Sequence, residues 1–299
     1  MSVRLDGVFG PVVSTFRRDS GDLDCAAFAE NVTSHIAAGH LGVVVCGSTG
    51  EAALLSEEER LELLEAARRA VPSDRMLLMG TGAESTRLTV RRCHEAQTVG
   101  ADAVLVVAPH YYANAMTVAA LRAHYTKVAD ESPLPVLLYN IPKYMHFKLE
   151  PALVAELAQH PNIAGIKDSS GDLDLLKSYL QSQSASFSVL TGNGGQLHPA
   201  LMAGARGGIL AVSLFAAAQS VAIFRAHAKG DHATADRLQA ELKALAATIV
   251  GELGVPGVKA AMDAVGLHGG PVRGPLLDLD ATGRARVSAL MSGLSAVAA

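Results

Sequence analysis

The chain has 299 residues, of which 49% are hydrophobic and only 18% charged, and its formal net charge is −4 at pH 7. Ordinary soluble proteins contain about 25% charged residues, so we expect much of this chain to be buried in a core or in contacts between subunits. The small negative charge gives no reason to expect binding to nucleic acid or to an anionic membrane, and we expect neither.

The three cysteines, Cys25, Cys46 and Cys93, form no CxxC pair and leave an odd count. This pattern fits reduced thiols better than a disulfide framework. The first residues lack the apolar stretch of a signal peptide, and no apolar run approaches the length of a membrane span. We therefore expect a cytoplasmic protein.

Eight short apolar runs, rich in β-branched residues, predict strands. They cover residues 8–14, 41–46, 76–81, 103–108, 135–139, 163–167, 187–191 and 208–213. Their starts are 21 to 35 residues apart, which is the length of one βα unit. Between them, helical spacing predicts helices over 24–38, 56–71, 85–99, 117–130, 151–159 and 172–183. This regular alternation predicts that the strands are parallel.

Eight βα repeats predict a closed (β/α)8 TIM barrel. An open doubly wound sheet would usually carry a glycine-rich nucleotide-binding turn after its first strand, and no GxGxxG follows Ser14. After residue 213 the pattern is helical only, over 216–228, 232–250, 256–265 and 281–298. The first of these helices completes the barrel. We therefore divide the chain into a barrel over 1–229 and a C-terminal helical appendage over 230–299.

Lys167 is the most informative residue, because it ends an apolar run that begins at Asn162 and precedes a turn-like sequence that ends at Gly171. A charged amine at the tip of a buried strand costs desolvation free energy. Desolvation favours the neutral amine, which is the form that attacks a carbonyl to give an imine. The structural alternative is a lysine that turns outward and pairs with Asp168, and this segment alone favours that alternative.

The other predicted strands also end in polar side chains, and in a TIM barrel those ends meet at one mouth. Ser48 and Thr49 lie between glycines in the run from Gly47 to Glu51, where hydroxyls and backbone N–H groups can converge on a small carboxylate. The alternative is an ordinary turn in which both hydroxyls satisfy the backbone. Tyr139 ends the strand before that of Lys167, which makes it a candidate general acid and base or a half-buried strand aromatic.

Three motifs, Gly47–Glu51, Tyr139–Pro142 and Gly165–Asp168, together resemble those of the dihydrodipicolinate synthase and N-acetylneuraminate lyase superfamily of class I pyruvate-dependent aldolases. The resemblance covers residues 7–279. It implies that Lys167 forms a Schiff base with pyruvate or another 2-oxo acid and that Tyr139 transfers the proton.

The same resemblance assigns supporting roles. It implies that Ser48 relays the proton toward Tyr111 of a neighbouring subunit, and that Thr49, with the backbone near Gly47, holds the pyruvate carboxylate. Residues matching positions that line the pocket or contact the substrate are Gly192, Ile209 and Ser169. It also implies a homotetramer built from two dimers, with pyruvate and an aldehyde as partners and no cofactor.

No metal is expected at this site, because the eleven histidines include neither an HxH nor an HExxH pattern. His110, His146 and His198 are assigned to separate loops. His110 and His146 lie near the predicted mouth and are further candidates for contact with the substrate, although solvated loop histidines are the commoner case.

Tyr144 is the candidate contact for the part of the substrate beyond pyruvate. Dihydrodipicolinate synthases of the usual kind carry an arginine at that position, where it binds the distal carboxylate of the substrate, and tyrosine does not replace a bidentate guanidinium. The closest resemblance is to 4-hydroxy-2-oxoglutarate aldolases. It rests on residues 123–130, 160–163, 167–169, 254–259 and 269–271.

We therefore expect a lyase that cleaves or forms a 4-hydroxy-2-oxo acid, specifically 4-hydroxy-2-oxoglutarate from pyruvate and glyoxylate. The alternatives on the same scaffold are a 4-hydroxy-tetrahydrodipicolinate synthase and an aldolase or dehydratase of 2-keto-3-deoxy sugar acids. A non-catalytic 2-oxo acid sensor is the alternative from another class, and the intact set of Lys167, Tyr139 and Ser48 argues against it.

Overall fold

Eight parallel strands close into a barrel in chain order, with β8 paired to β1, in a computed structural model that describes residue 3 and residues 5–294. The strands are β1 Val8–Pro11, β2 Gly42–Val45, β3 Met76–Gly80, β4 Ala103–Val107, β5 Val136–Asn140, β6 Ile163–Asp168, β7 Ser188–Thr191 and β8 Gly207–Ile209. The predicted (β/α)8 TIM barrel is therefore confirmed.

Helices connect successive strands and form the outer layer. Those of the barrel are α1 Cys25–Ala37, α2 Glu57–Ala70, α3 Thr86–Val99, α4 Val118–Glu131, α5 Pro142–Met145, α6 Pro151–Leu157, α7 Leu173–Leu180, α8 Leu197–Met202 and α9 Ala217–Ala228. The C-terminal region adds α10 His232–Leu245, a π-helix Ala246–Glu252, α11 Gly254–Ala264 and α12 Ala281–Met291. None of the described helices has the length and apolar character needed to cross a membrane.

Local sequence signals explain where several helices begin and end. The Ser56 hydroxyl accepts from the Glu59 N–H while the Glu59 carboxylate accepts from the Ser56 N–H, a reciprocal cap that starts α2. Gly100 ends α3 with a φ of 101°, in the left-handed region that favours glycine. These predicted boundaries agree with the structure.

Predicted and observed bounds differ in several elements; for example, the strand predicted over 8–14 ends at Pro11 and the last helix ends at Met291. Strand β8 ends at Ile209, and a 3₁₀ turn over Ala211–Leu214 replaces the rest of the predicted strand, because Ser213 donates its hydroxyl hydrogen to the Leu210 carbonyl at 2.8 Å. The helix predicted over 232–250 is α-helical only to Leu245 and then becomes π-helical, a geometry often found at functional sites. The short helices α5 and α8 were not predicted, and residues 295–298 of the last predicted helix lie outside the described part.

A second apolar cluster, separate from the main barrel core, joins one end of the barrel to the C-terminal helices. Leu238, Leu242 and Ile249 are buried in the same apolar cluster as Val13 and Leu210, which follow β1 and β8. Burying large aliphatic side chains of this kind contributes roughly 1.5–3 kcal/mol each. This shared core fixes the C-terminal region against the ends of the strands, although the exact division at residue 229 stays a prediction.

Candidate active site

Lys167 and Tyr139 occupy paired positions on adjacent strands β6 and β5. Both are buried, with exposed fractions of 5% and 4%, and the Lys167 Nζ atom lies 4.2 Å from the centre of the Tyr139 ring. The lysine therefore remains inside the barrel mouth and does not turn outward to pair with Asp168. An amine and a phenol brought together at one buried point can share a substrate atom between them.

A cavity of about 210 Å³ surrounds these two side chains. Eight of the ten predicted site residues line it, namely Ser48, Thr49, Tyr139, Tyr144, Lys167, Ser169, Gly192 and Ile209. They come from the ends of five different strands or from the loops that follow them, the arrangement by which TIM barrels assemble active sites. Gly47 and Tyr111 are not among the lining residues.

Gly192 is required by close packing around the lysine. A Cβ atom added to it would lie 1.9 Å from the Ser169 Oγ atom and 3.0 Å from the Lys167 Cε atom. Its N–H donates to the Asp168 carbonyl at 2.6 Å, which holds the loop after β7 against β6. Glycine therefore lets the backbone approach the lysine without filling the space that a substrate needs.

Behind the lysine, Asp168 connects two of the sequence motifs. Its Oδ1 atom accepts from the Asn140 Nδ2 atom at 2.7 Å, and its Oδ2 atom accepts from the Ser170 hydroxyl at 2.7 Å. Burial raises the pKa of the Asp168 carboxyl, and the hydrogen bonds from Asn140 and Ser170 oppose that rise. Since Asn140 also accepts from the Leu149 N–H at 3.0 Å, the network fixes the ends of β5 and β6 relative to each other.

Gly47 is buried behind the loop that carries Ser48 and Thr49, where its carbonyl accepts from the Gly50 N–H at 3.0 Å. The Ser14 hydroxyl donates to the Gly50 carbonyl at 2.6 Å and holds this turn against the end of β1. Gly47 therefore shapes the loop and is not among the lining residues of the cavity, and its predicted contact with the substrate stays a prediction.

Comparison with known proteins shows the family to which the chain belongs. Residues 4–294 match the model of the dihydrodipicolinate synthetase family. The chain belongs to this family. The 4-hydroxy-tetrahydrodipicolinate synthase of Methanoculleus marisnigri is 36% identical over 277 residues, which are 92% of this chain and 94% of that protein.

Solved structures agree. Dihydrodipicolinate synthase DapA-2 from Bacillus anthracis matches with a TM-score of 0.94 at 28% identity, covering 98% of this chain and 100% of the other. YagE, a prophage protein of the family from E. coli K12 solved in complex with pyruvate, gives 0.91 at 32% identity, covering 97% and 98%.

As a member of the dihydrodipicolinate synthetase family, the chain is a lyase of the class I, pyruvate-dependent aldolase type. The predicted superfamily and the predicted enzyme class are confirmed, and the sensor alternative loses its basis. The closer likeness to 4-hydroxy-2-oxoglutarate aldolases is not supported, because the relative described above is named as a 4-hydroxy-tetrahydrodipicolinate synthase.

In this family member, Glu51 forms a buried ion pair that the sequence did not reveal. Its Oε1 atom lies 2.6 Å from the Lys259 Nζ atom, and the two side chains are 0% and 1% exposed. The Arg273 N–H donates to the Glu51 Oε2 atom at 2.8 Å. Burial lowers the pKa of the Lys259 amine, and the Glu51 carboxylate opposes that shift. The pair ties the Ser48 loop to α11.

The outer wall of the cavity comes from α5 and from the C-terminal helices. Tyr144 and Lys143 lie on one side, and Lys143 donates to the Gly251 carbonyl at 3.2 Å. Apolar residues line the other side, namely Ala246, Val250, Val255 and Val258. Burial raises the pKa of the Tyr144 phenol, so this group stays neutral at physiological pH. Within the described residues, the lining contains no His, Cys, Asp or Glu that would ligate a transition metal.

Tyr111 lies on the surface of its own chain. It is 77% exposed, packs edge to face against Tyr112 at 5.0 Å, and its N–H donates to the Glu84 carboxylate at 2.8 Å. His110 shares that carboxylate, and neither His110 nor His146 lines the cavity.

A shallower depression between α1 and α2 is lined mostly by alanines beside Cys25 and Arg69, and it lacks a set of convergent polar groups.

Proposed function

We propose that the Lys167 Nζ atom forms an imine with the ketone of pyruvate, and that the enzyme makes or breaks a carbon–carbon bond between the pyruvate methyl carbon and an aldehyde. The observation that carries this proposal is the buried amine, 4.2 Å from the Tyr139 ring, at the end of a barrel strand that faces a small cavity. A lysine with only a structural role would stay exposed, because burying its charged amine costs free energy.

The reaction follows from this placement. The amine adds to the ketone, and loss of water leaves a protonated imine that withdraws electrons from the methyl carbon. Removal of a methyl proton gives an enamine, which attacks the aldehyde carbon, and the resulting alkoxide takes up a proton. Hydrolysis of the imine releases the 4-hydroxy-2-oxo acid and restores the amine. We assign these proton transfers to Tyr139, whose ring lies beside the Lys167 amine.

Ser48 and Thr49 support the proposed handling of pyruvate. Both line the cavity beside Lys167, and both lie on a loop held by Ser14 and by the buried pair of Glu51 with Lys259. We assign the pyruvate carboxylate to Thr49 and the neighbouring backbone N–H groups, and a proton-relay role to Ser48. Ser169, Gly192 and Ile209 form the adjoining wall.

We also propose that the working enzyme is a homotetramer built from two dimers, in which Tyr111 completes the site of a neighbouring subunit. The support is the high exposure of both Tyr111 and Tyr112 on a loop beside the barrel mouth. Exposed aromatic pairs of this kind are typical of protein interfaces. Sedimentation measures the oligomeric state. The variant Tyr111→Phe should have lower turnover, while pyruvate still forms its imine with Lys167. Unchanged turnover would show that Tyr111 has no part in the mechanism.

For the second substrate, we propose a short aldehyde that carries a carboxylate. Besides Lys167, Lys143 is the one cation among the described residues that line the cavity, and it stands at the outer end where the distal group of an aldehyde would lie. The name of the Methanoculleus marisnigri relative favours 4-hydroxy-tetrahydrodipicolinate synthase activity. The aldehyde would then be aspartate semialdehyde. Lys143 would then bind a carboxylate that an arginine at position 144 binds in the usual synthases.

A second candidate aldehyde is glyoxylate, which would make the product 4-hydroxy-2-oxoglutarate. The lining within the described residues offers no Asp or Glu to pair with the ammonium group of aspartate semialdehyde. The outer wall is also apolar on the side of Val250 and Val255. Glyoxylate carries no ammonium group and is shorter, so both features favour it.

The test compares aldehydes and lysine variants under steady-state conditions with pyruvate. Lys143→Met should raise KM for the accepted carboxylate-bearing aldehyde about 10-fold or more, because a hydrogen bond to a charged group contributes about 1.5–3 kcal/mol. Lys148→Met, on the exposed segment after α5, is the matched control and should change little. Equal effects of both variants, or a preference for an uncharged aldehyde, would contradict the proposed substrate class.

A further inference from the structure

Three histidines from three different helices converge on the outside of the barrel. His198 lies near the start of α8, His227 in the last turn of α9, and His232 at the first position of α10. One ring nitrogen from each lies within 4.8 Å of the others. This group is separate from the catalytic cavity, whose lining includes none of the three.

The spacing of two of these nitrogens is already that of a metal site. The His198 Nε2 atom lies 3.4 Å from the His232 Nδ1 atom. Tetrahedral zinc with Zn–N bonds of about 2.0–2.1 Å places its ligand nitrogens about 3.3–3.4 Å apart. In the absence of an ion this distance is that of a hydrogen bond between the two rings, and it also matches the separation of two zinc ligands.

A second feature orients His198 as a ligand. Its Nδ1 atom lies 2.7 Å from the Asp236 carboxylate, and its backbone N–H donates to the Gln239 Oε1 atom at 2.7 Å. Histidines that bind a metal through one nitrogen usually donate the other N–H to a carboxylate, which fixes the tautomer and the ring orientation. With its Nδ1 hydrogen donated to Asp236, His198 would have a free lone pair on the Nε2 atom, which lies 3.4 Å from the His232 Nδ1 atom.

His227 supplies the third nitrogen. Its Nδ1 atom is buried and has no hydrogen-bond partner among the described residues. A buried polar atom without a partner is costly, and an ion bound at this Nδ1 atom would satisfy it. The centre of the His227 ring lies 5.7 Å from the centre of the His198 ring and 5.7 Å from that of the His232 ring. The three imidazoles therefore surround a common point.

We propose that His198, His227 and His232 bind one divalent transition-metal ion, with zinc as the best match and the remaining coordination position open to solvent beside the exposed His232. Imidazole nitrogen is a preferred ligand for zinc, copper and nickel. The assignment rests on geometry outside the catalytic cavity and does not depend on the aldolase reaction.

The three ligands join elements that shape the active-site wall. Helix α10 continues into the π-helix that contributes Ala246 and Val250 to the catalytic cavity. Gln239 on the same helix donates to the carbonyl of Gly194, another lining residue, at 3.0 Å. A metal ion at the histidines would therefore brace α10 against α8 and α9 and stabilise the outer wall of the cavity.

The test uses the untagged full chain, stripped with EDTA and titrated with Zn²⁺ by calorimetry and with Co²⁺ by visible absorption. We expect one equivalent per chain, a tetrahedral Co²⁺ spectrum and a rise in Tm. His232→Ala, at an exposed position that tolerates truncation, should weaken binding at least 10-fold. Asp236→Asn should weaken it about 10- to 100-fold.

His268→Ala is the matched control, because His268 is an exposed histidine paired with Glu30 and should leave metal binding unchanged. Circular dichroism confirms that each variant is folded. Two results would overturn the proposal. One is the absence of stoichiometric binding to the wild-type chain. The other is equal affinity in His232→Ala and His268→Ala, which would place the metal elsewhere, for example at the half-buried Cys25 thiol.

Discussion

The Lys167 amine lies against the face of the Tyr139 ring, with its Nζ atom 4.2 Å from the ring centre. The contact follows from strand register, because the two residues are paired across β5 and β6. Neighbouring positions on parallel strands present their side chains on the same side of the sheet. The barrel thus brings the proposed nucleophile and the proposed proton carrier together without using a flexible loop for either.

Replacing Tyr139 by Phe separates the two functions of that side chain. The ring that packs on Lys167 stays, and only the hydroxyl is lost. We expect turnover to fall about 10²- to 10⁴-fold, the usual contribution of a general acid or base. Pyruvate should still form its imine with Lys167, as detected by mass spectrometry after reduction. Wild-type turnover in this variant would show that another group carries the proton.

Gly192→Ala should block the site sterically. The added Cβ atom would lie 2.9 Å from the Ser169 Cβ atom and 3.0 Å from the Lys167 Cε atom, so even a rotated Ser169 hydroxyl leaves a clash. We expect loss of the pyruvate adduct with the circular dichroism spectrum unchanged. Gly293→Ala, whose new Cβ atom would meet only the Leu290 carbonyl at 3.6 Å, is the control. An intact adduct in Gly192→Ala would mean that the loop moves freely.

The Glu51–Lys259 pair should behave as a buried ion pair. Lys259→Met leaves the Glu51 carboxylate buried without its partner, and breaking such a pair costs about 3–5 kcal/mol of unfolding free energy. The double variant Glu51→Gln with Lys259→Met removes both charges and should recover a large part of that loss. Urea unfolding measures both. A double variant as unstable as the sum of the single variants would show that the charges do not interact.

Buried histidines predict a pH dependence of stability. Burial lowers the pKa of His35 to about 4 and that of His40 to about 3, and the nearby His35 contributes to the shift at His40. In the unfolded chain both titrate near ~6.5. Below that pH the unfolded chain binds protons that the folded chain does not, so the free energy of unfolding falls as the pH drops from about 6.5 toward 4.

The variant that isolates this effect is His40→Leu. Between pH 7.5 and pH 5, the wild-type chain should lose about 2 kcal/mol more unfolding free energy than this variant, from one histidine whose protonation is suppressed by burial. Urea denaturation at the two pH values gives the difference. If both proteins lose the same amount, His40 is protonated in the folded chain.

Much of the fold was predictable because the barrel repeats one local pattern. Buried parallel strands are continuous apolar runs, as Leu137 and Leu138 show in β5. Helix caps such as Ser56 mark where the helices between the strands begin. The second half of predicted β8 was wrong, because a run of apolar residues does not show that Ser213 closes a turn on Leu210. The π-helical change after Leu245 likewise has no signal in a periodic pattern.

Within the site, motif residues at strand ends were predictable and long-range partners were not. Lys167 and Tyr139 follow from strand position, because strand ends meet at one mouth. The pairing of Glu51 with Lys259 joins residues far apart in the chain, and each belongs to a separate sequence motif. The sequence predicts a loop at His198, whereas this residue lies on α8 beside His227 and His232, a grouping that the three-dimensional packing of helices creates.

Trapping of the pyruvate imine tests the central claim most directly. The enzyme is incubated with pyruvate and borohydride, digested, and mapped by mass spectrometry, with Lys167→Ala and a sample without pyruvate in parallel. We predict a single reduced pyruvate adduct on the peptide that contains Lys167, absent from both parallel samples. An unmodified Lys167, or an adduct that persists in Lys167→Ala, would contradict the assignment of this lysine as the imine-forming nucleophile.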